Sequence, residues 1–123
     1  MSKVTAGTTL TDEERWRISR IAAILATFQQ YYPTMPIQVA QAFLLVALNE
    51  GASVKRLTQI SGARLATMSR HLLDLGDFDR RLGPGLGLVA FRKSAMDLRQ
   101  SEYTLTPRGR ALIHTIMQIT EGM

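Results

Sequence analysis

The stretch from Ser53 to Leu75 constrains this chain more than any other. It reads as two short helices joined by a tight turn at Gly62. Leu57 and Ile60 make an apolar pair on the first helix. Leu65, Met68, Leu72 and Leu75 recur at helical spacing on the second. Arg64, Ala66, Thr67, Arg70 and His71 are left on the other side, with no acid before Asp74. Such a face can approach a polyanion without repulsion, and its side chains can reach base edges. The pattern predicts a helix-turn-helix whose second helix enters a major groove.

Charge supports this placement. The formal net charge is +5, and it is uneven. Residues 53–110 hold 11 Lys and Arg against 5 Asp and Glu, whereas the rest of the chain holds 4 against 5. The basic excess therefore sits on the helix-turn-helix and the segment C-terminal to it, which favours an acidic partner such as nucleic acid. With 123 residues, 46% of them hydrophobic, the chain suits one globular domain. It contains no cysteine, which rules out disulfides and thiolate metal sites and is compatible with a cytoplasmic location. No apolar run reaches the roughly 18 residues of a membrane span, and residues 1–9 carry no signal-peptide pattern.

Around that stretch the elements come in order. Thr11-Asp12-Glu13-Glu14 has the form of a capping box, opening a helix of about 22 residues, roughly 33 Å, that Pro33 stops after Tyr32. Ile18, Ile21, Leu25, Phe28 and Tyr32 fall at spacings of three and four, widened by Trp16, Ile24 and Tyr31. A helix this long should project beyond a small core and pack against something else. Pro36 opens a second helix at its first turn. The near-continuous apolar run Val39 to Leu48 predicts a central buried helix, with Gly51 as its stop. Ser53 can cap the third helix. The glycine-rich segment 83–87 lacks GxGxxG spacing and reads as a loop or the approach to a strand.

Leu88 to Lys93 has strand character, and Ser101 to Thr106 alternates polar and apolar. They predict a β-hairpin with a basic end made by Arg92, Lys93 and Arg99. A hairpin just after a recognition helix is a wing, whose tip can lie on the sugar-phosphate backbone or in the minor groove. Thr106-Pro107 starts a last helix running to about Thr120. Its Leu112, Ile113, Ile116, Met117 and Ile119 are more apolar surface than a short helix buries alone.

Here motif and element order converge. Thr67-Met68-Ser69-Arg70-His71-Leu72, Asp97-Leu98-Arg99 and Leu105-Thr106-Pro107-Arg108-Gly109-Arg110-Ala111-Leu112 resemble the recognition helix, the Asp-x-Arg wing tip and the start of the C-terminal helix of MarR-type winged helix-turn-helix regulators. The resemblance implies a mainly α fold with a small β-hairpin wing, and N- and C-terminal dimerisation helices at 10–32 and 107–121. The DNA-binding core would be 36–106, with the helix-turn-helix at 53–75 and the wing at 88–106. It implies a cytoplasmic homodimer that binds a pseudo-palindromic double-stranded operator and acts as a repressor of transcription. Many members respond to small phenolic or lipophilic ligands, so an effector of that kind is an expectation too. Two departures stand out. Arg64 occupies a position where a Ser or Thr cap is usual. The 79–87 segment is long and the C-terminal helical region short.

The expected DNA-binding residues are Arg64, Ala66, Thr67, Ser69, Arg70, His71, Arg92, Lys93 and Arg99. Arg64 and Arg70 would contact guanine edges or phosphates, and Ala66 and Thr67 a thymine methyl or a backbone oxygen. His71 would face phosphate or sit half-buried under the wing. Asp97 would support the wing by holding Arg99 through a charge-assisted hydrogen bond. His114, on an apolar helix, should be core or interface. Two isolated histidines with no carboxylate at helical spacing make no metal site. No serine has a recognisable base and no carboxylates pair in a motif, so no enzyme chemistry or cofactor is expected. The alternative is a winged-helix interaction module that binds an acidic or DNA-mimicking protein.

Overall fold

The computed structural model describes residues 9–77, 84–93, 96 and 101–123. Five helices and one hairpin run in the order α1 (Asp12–Tyr31), α2 (Ile37–Leu48), α3 (Val54–Ser61), α4 (Leu65–Leu75), β1 (Val89–Lys93), β2 (Ser101–Leu105) and α5 (Pro107–Thr120). The mainly helical winged helix-turn-helix read from the sequence is present.

Local chemistry sets most helix ends. At α1 the Glu14 amide donates to Thr11 Oγ1 at 3.1 Å, and the Thr11 amide donates to Glu14 Oε1 at 2.8 Å. That pair of bonds is the expected capping box. The bond from the Thr11 backbone amide, followed by that from its side chain, holds the Glu14 carboxyl below the usual carboxylate range. Its contribution is therefore present above the ordinary carboxylate pKa and fades as acidification protonates Glu14. Ser53 caps α3 by accepting from the Arg56 amide at 3.1 Å. Thr106 caps α5 by accepting from Gly109 at 3.0 Å, with Pro107 in the first turn.

Three boundaries differ from expectation. Helix α1 is 20 residues long, because Tyr32 has already turned to extended backbone ahead of Pro33. Pro36 is the N-cap of α2 rather than a first-turn residue. The stop of α2 is Asn49, whose side-chain amide donates to the Leu45 carbonyl at 2.9 Å. Gly51 does something else: at φ +91 it turns the chain so that its amide donates to Tyr103 O at 2.8 Å, against the wing.

The core forms where α2 meets α4, the wing root and α5. Phe43, Val46, Leu57, Leu75, Leu88 and Leu112 are fully enclosed, and the Phe28 ring meets Phe43 edge-on at 5.9 Å. Of the expected α1 stripe, only Phe28 is buried. Ile24 and Tyr31 are partly buried, while Ile18, Ile21, Leu25 and Tyr32 are about half exposed. The last helix behaves alike: Leu112 and Ile116 are buried and Met117 is exposed. His114 is exposed, not core. Ile60 and Leu65 also depart from expectation, at 38% and 56% exposed. Both flank the Gly62 turn and lie about 60° around their helices from Leu57 and Met68, so they border the core rather than enter it.

Candidate nucleic-acid interface

The turn between α3 and α4 needs Gly62. Its φ is +74, a left-handed conformation that closes α3 through a bond from its own amide to Thr58 O at 2.8 Å. Helix α4 then leaves with Met68, Leu72 and Leu75 buried. Burying that stripe turns the opposite side outward. Arg64, Ala66, Ser69 and Arg70 are exposed, and Thr67 and His71 are half-buried. The structure thus gathers these six sequence-predicted residues on one helix. Among the described residues, Arg64 and Arg70 have no carboxylate partner. Arg64 is the N-cap of α4 but makes no side-chain cap bond, so the first-turn amides keep their donor capacity.

The segment after α4 fixes the wing beside it. The amides of Gly85, Leu86, Gly87 and Leu88 donate to the carbonyls of Asp77, Asp74, Gly76 and Leu75 at 2.8–3.0 Å. These bonds fold residues 85–88 back along the end of α4, which is the strand-approach reading of the glycine-rich run. Thr106 donates its hydroxyl to Gly87 O at 2.6 Å, and the Arg108 side chain donates to Leu86 O at 3.1 Å. The Arg108 guanidinium also lies 4.6 Å from the Tyr31 ring centre. The wing root is therefore tied to α1, α4 and α5 together.

In the hairpin, Val89 pairs with Leu105, Phe91 with Tyr103, Arg92 with Glu102 and Lys93 with Ser101. Val89 and Leu105 face the core. Arg92 and Lys93 are exposed, as predicted, but Arg92 is not free: its Nε donates to Glu102 at 3.2 Å. The sequence reading missed Glu102, because the cross-strand register depends on the length of the turn. It also passed over Lys55 and Arg56, exposed on α3. Their signal was present as two adjacent cations at a helix start. The expected contacts of Arg99 and Asp97 lie outside the described residues. Burial alone pushes the Tyr103 hydroxyl above its ordinary pKa, so it stays protonated at neutral pH.

No protein-family model matches the chain, and no curated protein is similar to it. Solved structures are similar in fold. A MarR transcriptional regulator from Methanosarcina mazei Go1 superposes with a TM-score of 0.62 at 18% identity, over 85% of this chain and 67% of that one. The transcriptional repressor CouR, bound to a 23-mer DNA duplex, gives 0.60 at 19% identity over 98% and 81%. Bordetella bronchiseptica BpsR, whose DNA binding is regulated by 6-hydroxynicotinic acid, gives 0.55 at 20% identity over 90% and 80%. Among the described residues, no helix is long and apolar enough to cross a membrane.

Proposed function

We propose that this chain, which has the fold of the MarR-type winged helix-turn-helix regulators, is a sequence-specific double-stranded DNA-binding regulator of transcription, acting as a repressor and binding as a homodimer. The observation that carries the reading is the outer face of α4. It presents two guanidiniums without a carboxylate partner among the described residues, with small and hydroxylic side chains between them, on a helix held rigidly by its buried stripe. Arg64 and Arg70 read guanine edges or grip phosphate, and Ala66, Thr67 and Ser69 fit against the groove. The uncapped amides at the start of α4 suit a phosphate oxygen. Lys55, Arg56, Arg92 and Lys93 add positioning contacts to the backbone. Glu102, the cross-strand partner of Arg92, holds its guanidinium across the hairpin.

The homodimer reading rests on surface a single copy leaves uncovered. Ile18, Ile21 and Leu25 rise on successive turns of α1, with Met117 exposed on the neighbouring α5. A second copy buries them and sets two α4 helices at a spacing that adjacent major grooves can accept. The neighbour bound to a DNA duplex and the neighbour regulated by a small molecule support the same kind of activity here.

Mobility-shift titrations against genomic fragments at two salt levels test the reading. A dimer gripping about eight phosphates should lose roughly four decades of affinity between 50 and 200 mM salt. Arg70→Ala should weaken specific binding by about 1–3 kcal/mol with an unchanged melting curve. Absent or salt-independent binding would overturn the proposal. So would an Arg70→Ala protein that binds like the wild type.

A further inference from the structure

The first turn of α5 carries a cation in an unfavourable place. Arg108 follows Pro107 at the start of the helix, where the helix dipole presents its positive end. Among the described residues, no carboxylate pairs with it. Its side chain instead spans two other elements. The Nε donates to Leu86 O at 3.1 Å, and the guanidinium lies 4.6 Å from the centre of the half-buried Tyr31 ring on α1. The Arg108 Cδ also passes 3.8 Å from where a Cβ on Gly87 would stand.

Leu86 and Gly87 lie just before β1, and the start of α5 holds both of their carbonyls. The Thr106 hydroxyl takes that of Gly87 and Arg108 that of Leu86. Gly87 has a φ of +66, so the chain turns at the point that is gripped. Two successive carbonyls pinned at a turn leave the strand beyond it little freedom of direction. That strand ends in Arg92 and Lys93. On the other side, the Gly87 and Leu88 amides reach the end of α4 through Gly76 O and Leu75 O at 2.9 and 2.8 Å. Of these contacts, only those of Arg108 extend to α1. The ring it meets there is a favourable surface for a guanidinium.

We infer that Arg108 and Tyr31 are a positioning pair for the wing: the guanidinium, stacked on the α1 ring and bonded to Leu86, fixes the direction of β1 relative to α1 and α5. Those two helices carry the apolar surface assigned to the dimer, so the pair ties the geometry of the dimer to the placement of both wings. Its consequence for binding rests on the DNA-binding reading. Arg92 and Lys93 meet phosphate only while the wing is held, and Arg108 acts through them rather than on the duplex.

Three variants of the full chain test the pair: Arg108→Ala, Tyr31→Leu and Tyr31→Phe. In the free protein, amide hydrogen exchange at Gly87 and Leu88 should quicken about tenfold in Arg108→Ala and in Tyr31→Leu. It should keep the wild-type rate in Tyr31→Phe, which retains the ring. Exchange at Met68 and Leu72 in α4 should not change. On DNA, Arg92 and Lys93 of two copies account for about four of the roughly eight phosphates gripped by a dimer. The loss of affinity between 50 and 200 mM salt should therefore shrink from roughly four decades to roughly two in Arg108→Ala and Tyr31→Leu. Both should remain dimeric by light scattering. A protein that is merely less stable keeps its salt dependence. Wild-type exchange and salt dependence in Arg108→Ala would overturn the pair, as would Tyr31→Phe behaving like Tyr31→Leu. So would a weaker salt dependence in Arg108→Ala that Tyr31→Leu does not share, which would make Arg108 a phosphate contact, or one that comes with dissociation into single copies. If the wild-type protein binds no DNA, the regulator reading fails while the exchange rates still decide the positioning role.

Discussion

Replacing Ile21 with aspartate is expected to split the protein into single copies and to lower its affinity for a two-fold-symmetric duplex by at least about 100-fold. Ile21 is 51% exposed in the single chain, midway between Ile18 and Leu25. In isolation the change is mild: a polar group replaces an apolar one on a wet helix face. In a dimer the same carboxylate is buried opposite apolar side chains with no partner, which costs several kcal/mol. One subunit then holds one half-site, and the gain from tethering the second is lost. Light scattering and mobility shift on the same preparation read both effects, and far-UV circular dichroism checks the helices. A variant that stays dimeric, or a monomeric variant that binds as tightly as the wild type, would refute the assignment of this face.

Gly109→Ala should be strongly destabilising. Glycine in a helix ordinarily costs stability, and alanine would recover up to about 1 kcal/mol. Here the sign reverses. A Cβ at position 109 would stand 2.2 Å from Leu88 O and 3.3 Å from the Phe43 ring. The first neighbour is the backbone of a fully buried residue, and the second is a fully buried ring. Neither can swing aside, so α5 must lift off the wing root. The expected loss is about 3 kcal/mol, the upper part of the range for overpacked sites. The melting temperature should fall by roughly 10 °C. Calorimetric melts at one fixed protein concentration check it, since a dimer's stability varies with concentration. An alanine variant as stable as the wild type would mean that α5 does not approach the wing root so closely.

The two cases mark what the residue order disclosed. Helix starts at Thr11, Ser53 and Thr106-Pro107 were readable because each cap is made within four residues of chain. The α4 pattern was readable because one rotation sends Met68, Leu72 and Leu75 inward and Arg64, Ala66 and Arg70 outward. Contacts between distant segments were not. Gly109 looked like one residue of a closing motif, and only the approach of Leu88 gives it a steric reason. Arg92 read as a free cation because its partner lies ten residues away. Gly51 read as a helix stop because its bond to Tyr103 joins segments some fifty residues apart. The α1 stripe was seen but its fate in a single copy was not. Periodicity marks an apolar face without saying which surface covers it.

Selection of bound sequences from a random duplex pool puts the central claim to its most direct test. The account predicts enrichment of a two-fold-symmetric site whose half-sites lie about one helical turn, roughly 34–36 Å, apart. Each half-site should lose definition when Arg64 and Arg70 are changed to alanine. Enrichment of an unsymmetrical sequence, or no enrichment above the starting pool at 50 mM salt, would contradict it.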